Sequence, residues 1–214
     1  MRFALLTAFS VIAFSGIACA TLAAQTPAWQ PLFDGQSMAG WQEVAFRGHG
    51  VVRVDGGAIL LPPGAPFTGM RREQAFAQSN YEVRFEALRE KGNDFFASFT
   101  FPVKESFATL VTGGWGGDIV GISSIDGWDA ADNETRSYFT FENGRWYSFR
   151  LRVTDDRLQA WIDEKPVIDV VITGRRIDLR PGETKLTTPV GFMSYNTAGR
   201  IRKVEYRLLK PAAR

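Results

Sequence analysis

Residues 144–171 constrain the fold more than any other part of the chain. Apolar and polar residues alternate through them with a period of two. Tyr147, Phe149, Leu151 and Val153 fall on one face, and Trp146, Ser148, Arg150 and Arg152 on the other. Thr154-Asp155-Asp156-Arg157 breaks the pattern as a turn does. Leu158, Ala160 and Ile162 resume it, Glu164-Lys165-Pro166 turns the chain again, and Val167, Ile168, Val170 and Val171 begin a third run. Successive side chains of a pleated strand point to opposite faces, so this pattern predicts antiparallel strands with one buried face.

Other segments repeat the signal. Val51-Val52-Arg53-Val54, a turn at Asp55-Gly56-Gly57 and Ala58-Ile59-Leu60-Leu61 predict a hairpin. Residues 62–66 predict a loop. Residues 80–88 alternate, with Tyr81, Val83, Phe85 and Ala87 on one face. Residues 94–103 are dense in Phe and predict a central strand buried on both faces. Further strands are expected over 107–111, 119–125, 137–141, 190–195 and 201–209. No long window places apolar residues at helical spacing. With 21 glycines and 13% aromatic residues in a chain of 214, the profile is that of an all-β sandwich. Neither an internal repeat nor a linker interrupts it, so residues 25–214 are assigned to one domain.

The first 24 residues stand apart. Met1-Arg2 is a short basic start, and residues 3–18 are apolar and small, too short for a membrane span. Ala18-Cys19-Ala20 and Leu22-Ala23-Ala24 offer cleavage sites after residue 20 or 24. This predicts a secretory signal peptide, a periplasmic or secreted protein, and no transmembrane segment after processing. A retained membrane anchor is one alternative, and because Gly16-Ile17-Ala18-Cys19 is lipobox-like, a lipid anchor on Cys19 is another. Cys19 is the single cysteine, which excludes a disulfide framework, a cysteine nucleophile and a thiolate metal site. Loss of Arg2 with the leader takes the formal net charge from +2 to +1. Without clustered Lys and Arg, a nucleic-acid partner is not expected.

Leu32-Phe33-Asp34-Gly35 with Gly40-Trp41, Asn80-Tyr81-Glu82-Val83-Arg84-Phe85, the run at 144–171, and Gly191-Phe192 through Ile201-Arg202-Lys203-Val204 occur in an order and spacing that resembles one family. That family is the 3-keto-disaccharide hydrolase domain, a family-16-glycoside-hydrolase-like domain of the concanavalin-like superfamily. The resemblance implies a concanavalin-like jelly-roll β-sandwich, export, and action on sugars, some members cleaving glycosides already oxidised at C3. Better-known members carry a strand close to Asn-Ser-Gly-Ile followed by Arg, where this chain has Asn93-Asp94-Phe95-Phe96-Ala97-Ser98. The Glu-x-Asp-x-x-Glu strand of true family 16 glycosidases does not occur, so a retaining mechanism with two carboxylates has no sequence support.

Residues 113–134 are the least strand-like and are expected to carry the site. Their paired glycines let backbone approach a ligand, Trp115 and Trp128 offer rings for the apolar faces of sugars, and Asp118, Asp126, Asp129 and Glu134 offer acceptors for hydroxyls. The bland alternative is a loop whose tryptophans plug an edge. Asp126, Asp129, Asp132, Asn133 and Glu134 also supply oxygen ligands for calcium, although no EF-hand spacing is present. His49, the single histidine, is a candidate general base or a plain loop residue. The expected catalytic residues are His49, Asp118, Asp126 and Arg136, with His49 or Asp118 as base and Arg136 or a bound cation at a keto oxygen, and Trp115, Trp128, Asp129 and Glu134 are expected in substrate binding. Asp94 reads as a turn residue or a carboxylate at the mouth of a site, and Ser123-Ser124 lacks a nucleophile elbow. Two functions result, an enzyme acting on 3-keto-glycosides or related sugars and a non-catalytic carbohydrate-binding module. A scaffold with no sugar site is the third.

Overall fold

Residues 27–210 are described by the computed structural model, so the leader and Cys19 lie outside the described residues. The described chain runs through β1 (Gln30–Pro31), β2 (Trp41–Glu43), β3 (Arg53–Asp55), β4 (Ala58–Leu61), β5 (Phe67–Arg72), β6 (Tyr81–Lys91), β7 (Ser98–Val103), β8 (Ser106–Gly114), β9 (Ile119–Ser123), β10 (Ser137–Tyr138), β11 (Trp146–Val153), β12 (Arg157–Ile162), β13 (Lys165–Val171), a 3-10 helix (Glu183–Thr187), β14 (Val190–Tyr195) and β15 (Ala198–Leu208).

These strands form two antiparallel sheets. One is eight-stranded, in the order β13-β12-β11-β6-β15-β4-β3 with β1 on β15; the other is seven-stranded, in the order β10-β9-β8-β7-β14-β5-β2. The alternation at 144–171 has its cause here. Tyr147, Phe149, Leu151 and Val153 are buried at 2% exposure or less, while Trp146, Ser148, Arg150 and Arg152 are half-buried on the outer face. The turn after β12 falls one residue earlier than expected, with Asp163 and Glu164 at positive φ.

The core lies between the sheets. Phe85 is its hub, stacked on Phe149 at 5.0 Å and meeting Phe192 edge-on at 4.9 Å. Through Phe99 and Phe192 the seven-stranded sheet joins the same cluster. Offset and edge-on rings add to the stabilisation that burying their area already gives.

Two expectations need correction. The strand expected over 94–103 starts only at Ser98, because residues 94–97 bend across the sheet. Residues 113–134 are not one loop, because Gly113 and Gly114 end β8 and residues 119–123 are β9. A tight hairpin turn and a separate loop over 124–136 take its place. β5 went unrecognised because Phe67-Thr68-Gly69-Met70-Arg71-Arg72 does not alternate cleanly.

Candidate functional site

The outer face of the seven-stranded sheet is the floor of the site. Phe99, Leu110, Ile122 and Phe192 point into the core, so their strand neighbours point out. Met193 is paired with Ser98, and Thr109 with Ser123, across adjacent strands. Val111 and Tyr195 share this outward face.

Three segments cover the face and leave a hole between them. The 3-10 helix sits directly over Gly191, where a Cβ would lie 2.5 Å from the Thr187 carbonyl oxygen. Residues around Ala130 lie somewhat less closely over Gly121, where a Cβ would come within 3.0 Å of Ala130. The missing Cβ at both glycines lets these covers come so near the sheet. The third cover is the bend at Asp94-Phe95 with the turn at Trp115. The remaining cavity, about 490 Å³, is lined by Phe67, Phe95, Met193 and Tyr195 on one side. Ser98, Thr109, Val111 and Ser123 form its floor, and Asp94, Trp115 and residues 180–184 form its rim. The aromatic wall is closely packed, with the Phe67 and Phe95 rings 5.3 and 5.7 Å from Tyr195.

The polar groups are held by named partners. Asp94 Oδ1 accepts from the Phe95 amide at 2.8 Å, and Oδ2 lies 3.5 Å from the Gly116 amide. Asp94 thereby joins the bend to the Trp115 turn. Arg89 supports that turn from below: its guanidinium is buried and donates to the carbonyls of Gly117 and Phe141 and to Asn143 Oδ1. Burial pulls its pKa below the usual guanidinium value, opposed by the charges of Tyr147 and Asp94. Ser123 donates to Asp129 Oδ1 at 2.9 Å, and Asp129 Oδ2 lies 3.3 Å from Arg180 Nη1. Arg180 in turn stands 5.8 Å from the Trp115 ring.

Among the sequence candidates, Trp115 lines the cavity and Asp129 backs it through Ser123 and Arg180. The others stand elsewhere. His49 Nδ1 lies 3.4 Å from Glu43 beside β2. Asp118 is exposed, with its backbone carbonyl accepting from the Phe139 amide. Asp126 and Glu134 share Arg175, which donates to them at 2.5 and 2.6 Å. The hydrogen bonds from Arg175 hold both carboxyls below their usual pKa, and raise that of Arg175. Arg136 is exposed and donates to the Ala131 carbonyl, and Trp128 is 62% exposed on the 124–136 loop. His49, Asp118, Asp126 and Arg136 therefore do not converge on this cavity.

Of the oxygen donors considered for calcium, Asp126 and Glu134 are taken up by Arg175. Asn133 Nδ2 donates to the carbonyls of Ile122, Trp128 and Asp129 and organises the loop. Among the described residues no three His, Cys, Asp or Glu side chains assemble to hold a metal ion. Asp94, which the sequence leaves as either a turn residue or a carboxylate at the mouth of a site, lies at the cavity rim, and Ser123, which lacks a nucleophile elbow, lies in its floor. Arg180 and the aromatic wall gave no sequence signal beyond the Pro181-Gly182 loop dipeptide.

This is a concanavalin-like jelly-roll sandwich with a cleft on one sheet. A carbohydrate-binding module of Bacillus subtilis shares its fold, at 13% identity and a TM-score of 0.53, over 78% of this chain and 95% of that one. So do a putative glycosyl hydrolase of Parabacteroides distasonis (13%, TM-score 0.56, 85% and 94% covered) and domain 4 of an extracellular arabinanase of Geobacillus stearothermophilus solved with arabinotriose (15%, TM-score 0.54, 88% and 95%). Residues 28–210 match the family model of the 3-keto-alpha-glucoside-1,2-lyase-like domain, and the chain belongs to that family. A search of curated proteins finds no match. Its family is thus a carbohydrate-related one, and no helix among the described residues is long and apolar enough to cross a membrane.

Proposed function

We propose that the cavity binds a glycoside oxidised at C3 and cleaves it by elimination. The observation that carries this is the meeting of an aromatic wall, a carboxylate (Asp94), a guanidinium (Arg180) and a partly exposed indole (Trp115) around one cavity on the floor described above. A ketone at C3 acidifies the C2 proton. Asp94 takes that proton, the electron pair forms an enolate, and Arg180 stabilises the charge gathering on the keto oxygen. The pair then returns to form the C1–C2 double bond as the C1–oxygen bond breaks. The aglycone leaves as the alcohol once protonated, and water can add to the unsaturated sugar in a second step. One base suffices, which fits a chain without the paired carboxylates of retaining glycosidases. Trp115 and the Phe67, Phe95 and Tyr195 rings hold the apolar faces of the sugar. The leader-like first 24 residues put this activity in the periplasm or outside the cell.

One observation favours a second reading. Asp94 Oδ1 already accepts from the Phe95 amide, as a turn-capping aspartate does. If that is its whole role, the cavity binds sugar without turnover. The two readings part when the protein is incubated with a chromogenic 3-keto-glucoside in deuterated water. Elimination releases the aglycone and exchanges deuterium into unreacted substrate at C2. Binding without release or exchange supports the module, and binding of no glycoside rejects both.

A further inference from the structure

The direction of every proton on part of the cavity floor can be assigned. Thr187 Oγ1 lies 2.6 Å from the Thr184 carbonyl oxygen, which can only accept, so the Thr187 proton is spent there. Thr100 Oγ1, 2.7 Å from Thr187 Oγ1, must then be the donor of that pair. Thr109 Oγ1, 3.2 Å from Thr100 Oγ1, must in turn donate to Thr100. All three side chains are buried. The chain of hydroxyls therefore runs one way, from the cavity floor to the 3-10 helix, and Thr109 can only accept anything further. Ser123 reaches the same state by another route, because its proton goes to the Asp129 carboxylate. Thr109 and Ser123 are direct cross-strand partners, which places their Cβ atoms about 5 Å apart on one face. Ser98 differs: its Oγ accepts from the Thr112 amide at 3.3 Å and keeps its proton for a partner.

We infer that Thr109 and Ser123 are a specificity-determining pair that accepts two hydroxyl donors of one sugar ring and rejects any carbonyl, ether oxygen or carboxylate laid across them. The inference rests on the cavity being the sugar site, and it goes further by fixing which way the ring faces. A ketone carries no proton to give, so it must turn away from Thr109 and Ser123, toward the Ser98 hydroxyl or the Arg180 rim. A group that cannot donate would leave the lone pairs of a buried hydroxyl facing another acceptor, and an unmet buried polar group costs about a factor of ten in affinity.

The test uses Trp fluorescence or ligand-observed NMR of the full chain. The probes are methyl α-glucoside, its 3-keto derivative and its 2-, 3- and 4-deoxyfluoro analogues, in which fluorine can accept but not donate. At least one fluoro position is expected to weaken binding about tenfold against the parent glucoside. Thr187→Val removes the acceptor that ends the chain, at a residue that does not line the cavity. Thr100 can then donate back to Thr109, whose proton turns to the ligand, and the fluorine penalty at that position shrinks to about twofold. Thr100→Val cuts the chain one hydroxyl nearer and carries the same expectation should Thr187→Val fail to fold. A flat fluorine profile in the parent protein, or a penalty unchanged in both variants, overturns the assignment while leaving the sugar site standing. Failure of both the glucoside and its 3-keto derivative to bind overturns the sugar site, and the floor assignment with it.

Discussion

Trp115 sits in the left-handed region at φ 51° and is 42% exposed, on a turn that Arg89 braces through the Gly117 carbonyl. A partly exposed indole held in an uncommon backbone conformation contributes little to the core, so its replacement separates binding from folding. Trp115→Ala is expected to weaken glycoside binding at least about tenfold while changing stability by less than ~1 kcal/mol, read by titration and thermal melting. Phe85 is the opposite case. It is buried against Phe99, Phe149 and Phe192, and Phe85→Ala is expected to cost about 3–5 kcal/mol in denaturant unfolding. His49 contacts Glu43 beside β2 and lies outside the cavity lining. His49→Ala is expected to leave sugar binding and turnover within about twofold of the parent. A loss of a hundredfold in that variant would return the histidine to the chemistry.

At the scale of strands, the outer face of the eight-stranded sheet is held by charge pairs across adjacent strands. Glu82 of β6 is fully buried and directly opposite both Arg152 of β11 and Arg207 of β15, with hydrogen bonds of 2.7 and 2.6 Å. Burial alone raises the Glu82 pKa, but the hydrogen bonds and charges of the two arginines outweigh it and hold the group below 4.5. A depressed carboxyl stabilises the fold above its unfolded value, and that contribution is lost as pH falls through the folded value. Thermal stability should therefore drop below about pH 4.5, and Glu82→Gln should reduce that drop. At neutral pH the same change should cost about 2–4 kcal/mol, toward the low end because the arginines are partly exposed. A melting profile from pH 3 to 7 on both proteins checks this, and identical profiles would remove Glu82 from the account. These strands were legible in the sequence because one face is buried, which forces the period of two. The pairing of Glu82 with Arg152 and Arg207 was not, since the local pattern does not say which distant strands flank β6.

For the whole molecule, legibility stops where the chain crosses between distant segments. The cavity draws on Phe67, Asp94, Ser98, Thr109, Trp115, Ser123, Arg180 and Tyr195. They become neighbours only because the strand order β9-β8-β7-β14-β5 brings the end of the chain between β7 and β5. Residues 113–134 drew attention by composition, and Trp115 does reach the cavity. Trp128, Asp126 and Glu134 share its composition but belong to a loop tied to Arg175. For Asp94 the sequence offers two readings, a turn residue or a carboxylate at the mouth of a site, and the bend at 94–97 brings it into the cavity lining. The most direct measurement is kcat/KM on a 3-keto-glucoside for the parent protein and Asp94→Asn, alongside Kd for a non-reactive glycoside. Asparagine keeps an oxygen to cap the Phe95 amide and loses the base. A fall in kcat/KM of at least about a hundredfold with Kd nearly unchanged is expected. Equal turnover in the two proteins, or glycoside binding with no turnover in either, would contradict it.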